Sequence, residues 1–178
     1  WVILTNIQVD QLNRFGEPEN VYRMLRDLAA RATAGVLVNA GDPNLVALGS
    51  EIAALGSRVE FVDLSPDALA SARHGVVAAQ LHSEAPESLQ GRPTAVLSTT
   101  SGARATIRVG GEDIALDLPA PGLHYAVDAT LAVGCVSLVG GRDLDLEIVA
   151  HSMGQSVPVF GRGETISFKG ADIALTMM

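Results

Sequence analysis

Three short apolar runs constrain this chain most: Trp1–Leu4, Gly35–Val38 and Arg58–Leu64. Between the first two, Val21, Met24, Leu25, Leu28 and Ala32 recur at helical spacing from Pro18 to Ala32, which predicts one buried stripe. Pro18 suits a first helical turn, and Glu17 and Glu19 complement the helix dipole there. Between the second and third runs, Leu45, Val46, Leu48, Ile52 and Leu55 repeat the pattern, with Asp42 as N-cap, Pro43 at the first helical position and Gly56 as the stop. Strand, helix, strand, helix, strand with short links predicts parallel strands in one sheet.

The period then changes. Ser65-Pro66-Asp67 opens an Ala-rich helix that Gly75 interrupts, and His82–Pro93 is polar and loop-like. Ala105, Ile107 and Val109 alternate with polar residues, as do Ile114, Leu116 and Leu118, and Gly110-Gly111 between them signals a hairpin. Ala95–Thr99 is a candidate third strand beside them. The predicted fold is therefore three-layer α/β, a mainly parallel sheet with a small antiparallel extension. Two helices follow, Tyr125–Val139, stopped by Gly140-Gly141, and Leu144–Met153, with Leu146, Ile148 and Val149 on its buried side. Val157–Phe160, Thr165–Phe168 and Asp172–Met177 read as final strands, with Lys169-Gly170 turning between the last two.

Apolar residues make up 48% of the chain and aromatic ones 4%, so the core is built of Ala, Val and Leu. Twelve basic residues against twenty acidic ones give a net charge of -8, and the basic ones are too scattered to form a nucleic-acid footprint. The single cysteine, Cys135, excludes an internal disulfide and a cysteine-based zinc cluster, and its apolar neighbours suit a core thiol. His74, His82, His124 and His151 show no metal-ligand spacing. Ser98–Ser101 lacks the G-x-S-x-G surroundings of a nucleophile. No apolar run reaches the roughly 20 residues that span a bilayer, and no signal-peptide pattern is present; with the lone cysteine, a cytoplasmic location is expected. Both ends fall inside strand-like sequence, so a fragment of a larger protein is expected.

Chemistry gathers where the first run ends. Thr5 to Glu17 places Asn6, Asp10, Gln11 and Asn13 at a strand's carboxyl end, where open α/β sheets bind ligands. Amides and a carboxylate there suit the water shell of a metal ion or phosphate, and they suit a locally capped turn equally well.

Thr5-Asn6-Ile7 followed by Asp10-Gln11-Leu12 and Gly16-Glu17 resembles the T-N-I-x-x-D-[HQ]-L-D-x-x-G segment of the Mur ligase family. Three further segments continue the resemblance in order: Asn39-Ala40-Gly41-Asp42-Pro43, Pro121-Gly122-Leu123-His124-Tyr125, and Gly161-Arg162-Gly163-Glu164. Gln11 after Asp10 is most similar to the MurT branch, the synthetase subunit of lipid II isoglutaminyl synthase. The resemblance implies an ATP- and Mg2+-dependent enzyme of peptidoglycan synthesis. It would phosphorylate the D-glutamate carboxylate of lipid II and amidate it with ammonia from a GatD-like glutaminase partner. It also implies that Asn6, Asp10 and Gln11 stand near phosphates and metal, Asp10 and Gln11 acting on the metal through water. His124, Tyr125, Asp128 and Arg162 would surround the nucleotide. Residues 1–160 would belong to the central ATP-binding domain and 161–178 would begin the C-terminal domain. The catalytic residues of such an enzyme are not identified within this chain.

Several residues depart from the family pattern. Tyr125 and Asp128 replace Asn residues of the adenine pocket; Tyr125 offers a stacking face and Asp128 an acceptor for the exocyclic amine. Arg26 stands where most Mur ligases carry a carbamoylated Lys, and its fixed charge repels a second metal. No G-x-x-G-K-[ST] phosphate loop occurs, so the chain alone is expected to be inactive, to bind nucleotide weakly and to self-associate. The alternatives are a Mur-type amino-acid ligase, a folylpolyglutamate-synthase-like enzyme, and a non-catalytic α/β interaction domain.

Overall fold

The computed structural model describes residues 1–7, 16–70, 88–141, 144–157 and 162–176. Six strands form one sheet in the order β1 (Val2–Leu4), β2 (Val36–Asn39), β3 (Val59–Leu64), β4 (Ala95–Ser101), β5 (Arg104–Val109) and β6 (Glu112–Asp117). β1 to β4 are parallel, and β5 and β6 extend the sheet antiparallel, so the three predicted strands share one sheet and β4 joins them. Gly110 and Gly111 both have positive φ, which the two-residue hairpin between β5 and β6 demands.

Helices α1 (Pro18–Ala29) and α2 (Pro43–Ala54) connect successive parallel strands. Strands added in one direction by right-handed crossovers place such helices on one face. Leu4, Ile7, Ala29, Val36, Val38, Leu45, Leu48, Ile52 and Phe61 form the apolar layer there. The other face must be covered by something later in the chain. α4 (Leu123–Gly140) does this, crossing β5, β4, β3 and β2, and α5 (Leu146–Gly154) packs on β6. Leu37, Val62, Leu97, Ile107, Leu131 and Val133 are the centre of that second layer. The short α3 (Pro66–Ala70) leans on β4, its first turn capped by Ser65 Oγ, which accepts from the Ala68 amide at 3.1 Å. β7 (Arg162–Phe168) and β8 (Ala171–Thr176) pair with each other in a separate two-stranded sheet, turned at Lys169-Gly170.

Five sequence expectations need correction. In α1 the buried stripe runs through Pro18, Val21, Tyr22, Leu25 and Ala29, while Met24 and Leu28 are 56% and 50% exposed. Those two lie on the helix flank turned away from α2, because Tyr22 and Arg26 take the flank that meets it. Leu55 is exposed at the C-cap of α2, where the helix has already ended. Ile148 is exposed on α5, whose packing comes from Leu146 and Val149, and α5 starts later than expected because the Asp145 carboxylate caps it by accepting from the Glu147 and Ile148 amides. Val157 is exposed and outside any strand; 158–160, Gly75, His74, the first half of the His82–Pro93 loop and Met177 lie outside the described residues. α4 is also long and apolar enough, by length and composition, to cross a membrane, against the expectation that no such run exists. Its small residues Ala126, Ala129 and Gly134 are buried against the sheet. Cys135 is half-buried beside that layer.

Glu51 of α2 takes polar contacts from α1. The Tyr22 hydroxyl donates to Glu51 Oε2 at 3.2 Å, and Arg26 Nη1 reaches Glu51 Oε1 at 3.4 Å. Burial first, and then the Glu51 charge, push the Tyr22 phenol up to about 12. The folded chain therefore holds this proton longer than the unfolded one. The stability it contributes is complete below pH 10.0 and is lost as pH rises through about 12. Absorbance titration of the two tyrosines should show a late phenolate step that Tyr22→Phe removes; a late step surviving in that variant would refute the assignment.

Candidate functional site

β1 leaves the sheet at its carboxyl rim, and the turn after it is pinned by residues at and just beyond the end of β2. Asn39 is the last residue of β2 and is buried. Its Nδ2 donates to the Thr5 carbonyl at 3.0 Å, and its Oδ1 accepts from the Gly41 amide at 2.9 Å. Asp42 is 2% exposed. One of its oxygens caps α2 by accepting from the Asn44 amide at 2.8 Å, and the other accepts from the Ile7 amide at 2.6 Å. Ile7 is fully buried, so its N–H has no access to water and needs such an acceptor. The side chain of Asn6 lies between the two pinned groups and is exposed.

Burial pushes the Asp42 carboxyl above its ordinary value, while the donated amides of Ile7, Asn44 and Leu45 pull it back in part. The folded chain thus binds this proton more readily than the unfolded chain does. The Asp42 contribution to stability falls as pH rises from the unfolded value through the folded one. Both Asp42 oxygens accept from backbone amides, so the side chain holds the Ile7 turn and the start of α2 together.

The second group of predicted residues opens α4. β6 runs parallel to β4, so the chain leaves it at the same carboxyl rim, and Pro121-Gly122 starts the helix there. Gly122 has φ 144°, which favours glycine, and a Cβ on it would also force the exposed His124 ring, 2.7 Å away, to move. The His124 and Tyr125 rings pack at 4.4 Å between centroids, tilted by 40°. His124 and Asp128 are exposed and Tyr125 is half-buried; Tyr125 and Asp128, three residues apart, share a helix face.

The fold therefore brings Asn6, His124, Tyr125 and Asp128 to one rim. Asn6 follows β1 at one edge of the sheet, and the other three follow β6, in the helix that runs back over β5, β4, β3 and β2. Asp10, Gln11 and Asn13 lie outside the described residues, and Arg162 begins β7 in the separate hairpin. Arg26 is turned to Glu51 and Asp27 in α1 and α2. Sequence reasoning gave Asp42 only a capping role and Asn39 only a place in a motif; their contacts to Ile7 and Thr5 were missed. A cavity of about 490 Å3 borders this corner, lined by Ala40, Gly41, Pro43, Phe61, Asp63 and Leu89 among others. A slightly larger one, about 530 Å3, opens at the opposite rim between the β5–β6 turn and α5, next to Glu112, Asp145 and Glu147. Among the described residues no three His, Cys, Asp or Glu side chains gather as metal ligands.

No protein-family model matches the chain. Its structure is similar to that of a pseudomurein peptide ligase type C from Methanothermus fervidus, with TM-score 0.73 and 14% identity, over 99% of this chain and 38% of that one. It is also similar to MurF from Acinetobacter baumannii, with TM-score 0.68 and 14% identity, over 97% of this chain and 32% of that one. The chain spans about a third of the length of these proteins. At this identity the likeness shows the fold, and the six-stranded α/β architecture of this chain is one found within Mur ligases.

Proposed function

We propose that this chain is part of an ATP-dependent, amide-forming ligase of the Mur type, most similar to MurT. The observation that carries it is the placement of Asn6 and the His124–Tyr125 pair on one carboxyl rim of a Mur-type sheet. Open α/β sheets bind their ligands at that rim. The residues fit a nucleotide: His124 and Tyr125 offer an aromatic surface, and Asp128 an acceptor on the same turn. Magnesium takes oxygen ligands, and among the described rim residues Asn6 offers an exposed carboxamide for its water shell. Asp10 and Gln11 complete that shell in this proposal. Bound ATP supplies the phosphoryl group that turns a carboxylate into an acyl phosphate, which an amine nitrogen displaces to give the amide and phosphate. Asn6 orients the phosphate end, and His124 and Tyr125 hold the base end. Arg162, in the strand that opens the hairpin, is assigned to the phosphates in this reading, and residues 161–178 to the start of the C-terminal domain.

In the MurT form the carboxylate is that of D-glutamate in lipid II, and a glutaminase subunit supplies ammonia. A second form, a peptide-adding ligase, is favoured by the similar structures, which are described as a pseudomurein peptide ligase and MurF. Titrating millimolar Mg-ATP into the 15N-labelled chain tests the common core of both. Amide shifts are expected to gather at Thr5–Ile7 and at Leu123–Ala126. Shifts confined to the β5–β6 turn and α5, or none, would overturn the assignment.

A further inference from the structure

We infer that Asn39 and Asp42 are positioning residues: they clamp the backbone on both sides of Asn6 and so fix how that side chain is presented at the rim. The inference rests on the nucleotide role proposed for Asn6. The Thr5 carbonyl is held by Asn39 Nδ2 at 3.0 Å, and the Ile7 amide by Asp42 Oδ2 at 2.6 Å. Asn6 is the residue between the two pins, and it alone of the three is an exposed side chain with an amide to offer.

The clamp comes from another element, which separates it from an ordinary turn. Its donor and acceptor lie 34 and 35 positions further along the chain. Both also serve α2: Asn39 Oδ1 holds the Gly41 amide, and Asp42 Oδ1 caps the helix through the Asn44 amide. A ligand that pulls on Asn6 therefore pulls on the start of α2 and on the wall of the cavity formed by Ala40, Gly41 and Pro43. Among the described residues β1 is the edge strand of the sheet, paired with β2.

Asp42→Ser separates the two duties of this residue. A serine hydroxyl still caps α2 at the N-cap position, but it has no second oxygen for Ile7. Asp42→Asn, a second variant, keeps the side-chain shape and replaces one acceptor oxygen by a donor. Amide hydrogen exchange and Mg-ATP titration are read on both variants and on the unsubstituted chain. The Ile7 amide should exchange at least tenfold faster in the variants while amides of β3 and α4 keep their protection. The Mg-ATP shifts of Asn6 should be lost together with it, whereas those of His124 and Tyr125 persist.

Unchanged exchange at Ile7 would overturn the clamp. Faster exchange at Ile7 with the Asn6 shifts intact would overturn the positioning role and leave a purely structural contact. A failure of the nucleotide assignment itself looks different: the unsubstituted chain then shows no Mg-ATP shifts at Asn6, and the positioning role falls with it, whatever the exchange rates of the variants.

Discussion

Gly134→Leu should lower the melting temperature by roughly 10 °C, the shift that about 3 kcal/mol of overpacking produces in a chain of this size. A Cβ at Gly134 already stands 2.9 Å from Val62 Cγ1 and 3.5 Å from Leu37 Cδ2, and both residues are fully buried. The remaining atoms of leucine have nowhere to go unless α4 lifts from the sheet. Leucine is the better helix former by about 1 kcal/mol, which offsets only part of this. Gly154→Leu is the control, because nothing lies within 4 Å of a Cβ at that position. Equal shifts in the two variants would show that α4 does not rest on β3 through Gly134.

Leu97→Ala should cost about 3 kcal/mol in denaturant unfolding. Leu97 is fully buried in β4, the one strand that pairs parallel on one side and antiparallel on the other. Its register shifts between Leu97 and Thr99, so the residue stands at the junction of the two sheet types. Its strand partners are Leu64 and Ile107, both buried, and α4 packs on β4, so the space left behind is walled by already packed residues. Leu55→Ala, at a leucine 68% exposed, should change stability by less than about 0.5 kcal/mol. A Leu97→Ala midpoint as close to the unsubstituted chain as that of Leu55→Ala would contradict the described core.

The parallel strands and the hairpin were legible because each rests on a local signal. An apolar run bounded by a capped helix reads as a buried strand, and Gly110-Gly111 between alternating runs reads as a turn whatever surrounds it. Met24, Leu28 and Ile148 were misjudged because a helical period locates an apolar side without its width. Which flank is covered depends on a neighbour elsewhere in the chain, here Glu51 of α2 meeting Tyr22 and Arg26. Val157 was misjudged because a short apolar segment has the same composition in a strand and in an exposed link. The strand-end rule put Asn6 at the rim, whereas His124 and Tyr125 were singled out by a family resemblance alone. The work of Asn39 and Asp42 was not. A hydrogen bond to a backbone group 34 or 35 positions away leaves no trace in local spacing.

The passage of α4 across four strands also governs the order in which this chain can become soluble as it is made. A ribosome delivers β2, β3 and β4 well before α4, and α1 and α2 can cover only one of their faces. Leu37, Val62 and Leu97 must wait on the other face until the helix beginning at Leu123 has emerged. Nascent chains that end before α4 therefore carry an open apolar sheet face, a surface that chaperones bind and that sticks to its own kind. Closure of that face waits on a single helix that follows all six strands of the sheet.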